Sequence, residues 1–185
     1  MKNALIFWFT GLSGSGKTTI VDGTIQRLSN RDIKIKIFDG DVVRKEINSH
    51  LTFRPKDISE NNRIIADLCL KESHLYDYIF VPVIAPFRES RDEARRLLGD
   101  HFYLVYCKIS LEEVIRRDPK GLYRKALSGE IDNFIGIHKE VPFQPPKDAD
   151  LVLDTEGAGI ESCVGRLIEF IHRKEEERVG KHNER

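Results

Sequence analysis

The chain has 185 residues, 40% of them hydrophobic and 32% charged, enough to bury one sizeable core and too few for two full domains. Its 30 basic and 30 acidic residues cancel, so nothing in the overall charge points to nucleic acid or an anionic membrane as a partner, and any charged ligand has to be met locally. No run nears the ~20 apolar residues of a membrane span, and the widely spaced Cys69, Cys107 and Cys163 read as reduced core thiols of a cytoplasmic protein without a structural metal.

The opening apolar run reaches Phe9 and leads straight into glycines, without the basic region or cleavage site of a leader peptide, and predicts a buried strand over Leu5–Phe9. Further strands are expected at Ile33–Phe38, Tyr78–Ile84, Phe102–Ile109 and Asp150–Leu153. Between them, helices are expected at Lys17–Leu28, Val42–Ser49, Ser59–Leu75, Ser90–Leu98, Leu111–Arg117 and Ile160–Glu177. Ser110 three residues before Glu113 has the form of a capping box, and Gly99 stands where a helix would stop. This alternation predicts an α/β fold with a mostly parallel five-stranded sheet, and Gly11-Leu-Ser-Gly-Ser-Gly-Lys-Thr18, which follows the first strand, makes the P-loop NTPase three-layer sandwich the expected architecture. Lys34 and Lys36, alternating with isoleucines, put the second strand nearer an edge. Two segments break the rhythm: 118–136, with basic residues and glycines, reads as a mobile lid, and the proline-rich 141–146 as a rigid connector. One domain is expected over 1–178, and the polar tail 179–185 is expected to be disordered.

Gly11-Leu-Ser13-Gly14-Ser15-Gly16-Lys17-Thr18 fits G-x-x-x-x-G-K-[ST], directly after a strand and before a helix, which is the context the motif requires. Such a loop turns its backbone N–H groups inward around a triphosphate and meets the positive end of the helix that follows. Lys17 is expected to reach the β- and γ-phosphates of ATP, and the Thr18 hydroxyl to ligate Mg²⁺. The base-reading N-K-x-D of switch GTPases is missing, and no central strand ends in the acidic residue of motor ATPases, which favours a small-molecule kinase. Asp39 and Asp41 follow the second strand, itself expected to neighbour the P-loop strand, and lie at the sheet edge where ligands bind in open α/β folds. We assign Asp41 as the base that takes the proton of an attacking hydroxyl and Asp39 as the partner of Mg²⁺, partly through water, in preference to the reverse. Asp41 is also expected to cap the helix beginning at Val42.

In order and at nearly the same spacing, the chain over about residues 5–155 resembles the adenylylsulfate (APS) kinase family. The resemblance rests on Gly11–Thr19, Asp39-Gly-Asp41 with Arg44, Phe53, Pro55-Lys-Asp57 leading to Glu60-Asn61 and Arg63, Arg117–Ala126, Gly129–Ile131, Phe134, Gly136-Ile137 and Leu151–Thr155. It implies phosphorylation of the 3′-hydroxyl of APS by ATP, giving 3′-phosphoadenosine 5′-phosphosulfate, in a homodimer. It implies a lid over about 117–135, with Arg117 near the ATP adenine, Lys120 near the transferred phosphate, and Thr19 and Thr155 also on the ATP side. Phe53 and Phe134 are implied to sandwich the acceptor's adenine, with Arg44 and Asn61 on its phosphosulfate and sugar, and Arg63, Ile84 and Leu122 nearby.

The departures from the family pattern gather around the acceptor. Asp57-Ile58 replaces Asp-Arg, Ala85-Pro-Phe-Arg88 replaces Ser-Pro-Tyr-Arg, Val42 replaces Asn, Ile135 replaces Thr and His138 replaces Asp. Loss of a cation at Ile58 weakens an anionic acceptor by ~1.5–3 kcal/mol unless another base substitutes. The alternatives to APS are another nucleotide with a free 3′-hydroxyl, such as CDP-phosphoramidate in capsule modification, and a non-enzymatic nucleotide-binding regulatory module. The second of these predicts damage to Lys17, Asp39 or Asp41, and all three are intact.

Overall fold

Six consecutive residues, Leu5–Thr10, form the central strand β1 of the computed structural model, which describes residues 3–28 and 32–183. All six are buried. Leu5, Phe7 and Phe9 face one core, and Ile6 and Trp8 face another, the two-residue period of a strand covered on both sides. β1 pairs in parallel with β3 (Tyr78–Pro82) and with β4 (Phe102–Lys108). β2 (Ile35–Ile37) flanks β3, and β5 (Leu151–Asp154) flanks β4, so the order is β2-β3-β1-β4-β5 with every pairing parallel. Phe7 lies in register with Phe80 and Tyr103, and its ring stacks on theirs at 5.5 and 5.7 Å.

Helices cover both faces of the sheet. α1 (Lys17–Leu28) and α7 (Ile160–Asn183) bury Ile20, Val21, Val164 and Leu167 against the Phe7 side. On the Trp8 side lie α2 (Gly40–Glu46), α3 (Pro55–Glu72) and α4 (Arg88–Leu98), contributing Val43, Ile65, Ala66, Ala94 and Leu98. A smaller cluster of Leu12, Ile109, Val114 and Tyr123 seats α5 (Leu111–Arg117) and α6 (Leu122–Leu127) beside the loop after β1.

Several sequence expectations are corrected by this architecture. β2 is an edge strand as expected, yet it does not neighbour β1, because β3 lies between them. α3 starts at Pro55, four residues earlier than expected, with proline at a first-turn position that needs no N–H donor. The segment read as lid contains a helix, α6, which no apolar periodicity announced. The tail expected to be disordered continues α7 as helix through Asn183, while 184–185 lie outside the described residues. Ser110 caps α5 by accepting from Glu113 N at 3.2 Å, but the Glu113 carboxylate turns to Arg116 and Arg117 instead of closing the box. No helix among the described residues is long and apolar enough to cross a membrane.

Candidate active site

At the C-terminal end of β1 the chain turns sharply. Thr10 Oγ1 donates to Ile84 O at 2.7 Å, tying the turn to the segment after β3. Gly11 has φ +151°, and a Cβ there would lie 2.7 Å from Cys107 O and 2.8 Å from Ser15 Oγ, so no larger residue fits. The Lys17 ammonium curls back onto its own loop, donating to Gly11 O and Leu12 O, each at 2.9 Å, and to Ser15 Oγ at 3.3 Å. Burial lowers its pKa to about 8, against the opposing pull of Cys107, Asp41 and Asp39. The loop opens into the N-terminus of α1, where unpaired N–H groups and the helix dipole favour an anion.

The Asp39-Gly-Asp41 turn reaches this loop even though β2 is remote from β1. Gly40 explains how: a Cβ at this position would sit 2.7 Å from Val83 Cγ1, so only glycine lets α2 begin flush against the end of β3. The capping expectation is corrected here. Asp39, not Asp41, is the N-cap, its Oδ1 accepting from Asp41 N at 2.9 Å and Val42 N at 3.3 Å. The Asp41 carboxylate, 82% exposed, is thereby free of capping and stands 3.8 Å from Lys120 Nζ across the cleft.

The segment carrying Lys120 is held from within. Asp118 accepts from Tyr123 N and Arg124 N, each at 3.0 Å, which satisfies the first turn of α6 and lowers the Asp118 pKa against the effect of its own desolvation. The Tyr123 hydroxyl donates to Ser13 O, and its ring meets Phe134 edge-on at 4.9 Å. On the opposite wall Phe53 is 46% exposed, and the Arg44 guanidinium lies 4.7 Å over its ring. Arg44 is steadied by donation to Leu51 O and Thr52 O, and burial lowers its pKa. Below these, Ile58, Ile135 and Val141 form a buried cluster with Ile84, Phe87 and Phe143 packed against it.

These elements enclose one cleft of about 650 Å³, within the range of small-molecule sites. Of the residues expected on the ATP side, Ser13, Gly14, Gly16, Lys17, Thr18 and Thr19 line it. Of those expected on the acceptor side, Asp41, Arg44, Phe53, Asn61, Ile84, Lys120, Leu122 and Phe134 line it, and Asp39 joins them. Gly11 and Ser15 are buried within the loop. Arg117 and Thr155 are outside the lining but meet each other, Arg117 donating to Thr155 O at 3.0 Å. Arg63 is not brought to the cleft: on α3 it points away from the face carrying Ile58, Asn61 and Ile65 and pairs with Glu60 and Asp67.

Sequence reading missed Tyr123, Asp118 and Arg91. Arg91, 3% exposed, donates to Ala85 O at 2.8 Å, Pro86 O at 3.1 Å and Gln144 O at 2.8 Å. It thus holds the strap beneath the cleft, in which Ala85 adopts φ +41°. Its one sequence signal is a charge in phase with the apolar Ala94 and Leu98 of α4.

No group of three or more His, Cys, Asp or Glu that could hold a metal occurs among the described residues. Thr18 and Asp39 do line one cleft, and both capping bonds fall on Asp39 Oδ1, so Oδ2 is not used by the cap. A hydroxyl and a carboxylate suit a hard cation that keeps water and phosphate oxygens as its other ligands.

Residues 3–154 match the sequence pattern of the family described as adenylylsulphate kinase. The chain is 41% identical over 175 residues to the adenylyl-sulfate kinase of Staphylococcus epidermidis, covering 94% of this chain and 86% of that one. It is 38% identical over 176 residues to that of Clostridium kluyveri, covering 95% and 87%. Its fold matches the Mycobacterium tuberculosis APS kinase CysC solved in complex with AMPPNP and APS, with a TM-score of 0.86, 35% identity and coverage of 93% and 99%.

Proposed function

We propose, from the premise that this chain belongs to the adenylylsulphate kinase family, that it transfers the γ-phosphoryl group of ATP to the 3′-hydroxyl of APS, giving 3′-phosphoadenosine 5′-phosphosulfate and ADP. The observation that carries this reading is that one cleft brings together Lys17, the free carboxylate of Asp41, Lys120 and the two aromatics Phe53 and Phe134. ATP phosphates take the loop amides at the head of α1, and Lys17 exchanges its bonds to Gly11 O and Leu12 O for phosphate oxygens. Thr18 and Asp39 would hold Mg²⁺, which when bound would supply positive charge to offset that of the ATP phosphates. Phe53 and Phe134 take the adenine of APS between them, a contact worth ~1–3 kcal/mol per base.

Asp41 accepts the proton of the 3′-hydroxyl as the new O–P bond forms and the bond to the β-phosphate oxygen breaks, with ADP as leaving group. Lys120 offers charge to the transferred group, and the lid that carries it keeps out water that would otherwise take the phosphoryl group. With Ile58 in an apolar cluster and Lys17 assigned to ATP, Arg44 and Lys120 are the other cations of the described cleft lining that can meet the anionic end of APS. Arg117 and Thr155 complete the ATP side from beyond the cleft lining. A homodimer acting in the cytoplasm, where ATP is available and thiols stay reduced, completes this reading; light scattering on the purified protein tests the dimer.

The deciding experiment is ADP release by the purified protein with Mg²⁺, ATP and APS, coupled to NADH oxidation. A rate that does not rise above the no-acceptor background would sink the reading, and a faster rate with a cytidine nucleotide would change the acceptor.

A further inference from the structure

The cleft lining includes a buried polar side chain, Asn62, that the mechanism above does not use. Asn62 is 3% exposed, lies on the buried face of α3 one turn after Ile58, and lines the cleft. Its neighbour Asn61 is engaged, its Oδ1 accepting from Asn48 Nδ2 at 3.0 Å. Asn62 Nδ2 has no hydrogen-bond partner. Among the described residues only one other buried side-chain N or O shares this condition, Trp8 Nε1, and Trp8 lies in the core on β1 and lines no part of the cleft.

A buried amide without a partner costs stability that an apolar side chain of the same shape would not. Nothing in the packing of α3 asks for it, since Ile58, Ile65, Ala66 and Cys69 fill the same face. The cost is offset when a ligand supplies the missing acceptor atom, as in sites where a buried donor discriminates strongly against ligands lacking its partner. Asn62 shares the cleft floor with Ile58, Ile84 and Ile135, so the ligand atom it meets arrives among apolar contacts, where a hydrogen bond is stronger than in water.

We propose that Asn62 is a specificity-determining residue for the acceptor, donating from Nδ2 to an oxygen of the bound acceptor nucleotide. This deepens the proposed function and rests on it. An oxygen of the sulfuryl end and one of the nucleoside monophosphate have the same hydrogen-bonding chemistry, and comparison of APS with AMP separates them.

The test is steady-state kinetics of the wild type, Asn62→Leu and Asn62→Ala, with Tm measured for each and with APS and AMP titrated onto the ADP-bound proteins. Removing the donor is expected to raise the KM for APS on the order of tenfold, with the KM for ATP unchanged. Nucleotide-free Asn62→Leu is expected to melt a few degrees above wild type, because the unpaired amide is gone, whereas Asn62→Ala melts below it. If AMP binding weakens as much as APS binding, the partner oxygen lies on the nucleoside monophosphate; if only APS binding weakens, it lies on the sulfuryl group. An APS KM within twofold of wild type in both variants, or equal losses for ATP and APS, overturns the inference and leaves the kinase reading standing. A wild type inactive with APS overturns both.

Discussion

Tyr123 donates its phenolic hydrogen to the backbone carbonyl of Ser13 at 2.9 Å, joining the lid to the phosphate loop across 110 residues of sequence. Tyr123 is 1% exposed and packs edge-on against Phe134, so a single side chain couples the loop proposed to hold ATP to an aromatic proposed to face the acceptor. Tyr123→Phe keeps the packing and removes only the hydrogen bond. It is expected to cost about 1 kcal/mol of stability in denaturant titration and to raise the KM for ATP a few-fold; unchanged kinetics would show that the lid is held by packing alone.

Lys17 is expected to make nucleotide binding sensitive to mildly alkaline pH. Burial lowers its pKa to about 8 in the free protein, and phosphate oxygens favour the charged form, so binding raises the pKa again. ATP binding near pH 8 is therefore accompanied by uptake of roughly half a proton at Lys17, and affinity falls as pH rises further. Calorimetry in two buffers of different ionisation enthalpy reads the uptake, and Lys17→Met should abolish this component along with nearly all turnover. The same shift has a sign for folding: between about 8 and the ordinary lysine range the unfolded chain binds more protons than the native one, so this group's contribution favours the native state increasingly as pH rises.

The two aspartates separate by capping. Asp41→Asn leaves the α2 cap intact, because Asp39 supplies it, and is expected to lower kcat by about 10²–10⁴ while sparing ATP affinity. Asp39→Asn still caps the helix but lacks the carboxylate assigned to Mg²⁺, so the Mg²⁺ concentration for half-maximal rate should rise. Asp39→Ala adds the loss of the cap, about 1 kcal/mol by thermal or chemical unfolding. Equal kinetics in Asp39→Asn and wild type would move the metal role elsewhere.

Ile58 is 3% exposed and packs with Ile135 and Val141. Ile58→Ala is expected to cost about 2–4 kcal/mol. Ile58→Arg, which restores the cation of the family pattern, would bring a guanidinium into an apolar cluster and should destabilise by about 3 kcal/mol or more. A stable Ile58→Arg protein with a lowered KM for APS would mean that the cluster repacks and lets the guanidinium extend into the cleft that Ile58 lines.

Much of this molecule could be read from local pattern. The five strands, the loop 11–18 and the helix beginning at Lys17 are written in short-range periodicity and turn chemistry, and the loop glycines announce anion binding wherever the sheet places them. The resemblance to APS kinases, a matter of ordered side chains along the chain, pointed to the residues proposed on the acceptor side, and all but one of these line the cleft. Arg63 is the exception, because a linear motif does not state helical phase relative to a cleft.

What the sequence by itself determined was the five strands, the helices other than α6 and the anion-binding pattern of loop 11–18, because hydrogen bonding and periodicity within a few residues are enough to specify them. Only the tertiary structure decided that β3 separates β2 from β1, that Gly40 against Val83 nonetheless carries Asp39 and Asp41 to the loop, and that α6 is tied down through Tyr123 to Ser13. It also decided that Ile58 packs into an apolar cluster at the cleft wall while the neighbouring Asn62 Nδ2 is left without a partner. Each of these depends on contacts between residues far apart in sequence, whose energies exist only once the sheet has brought them together.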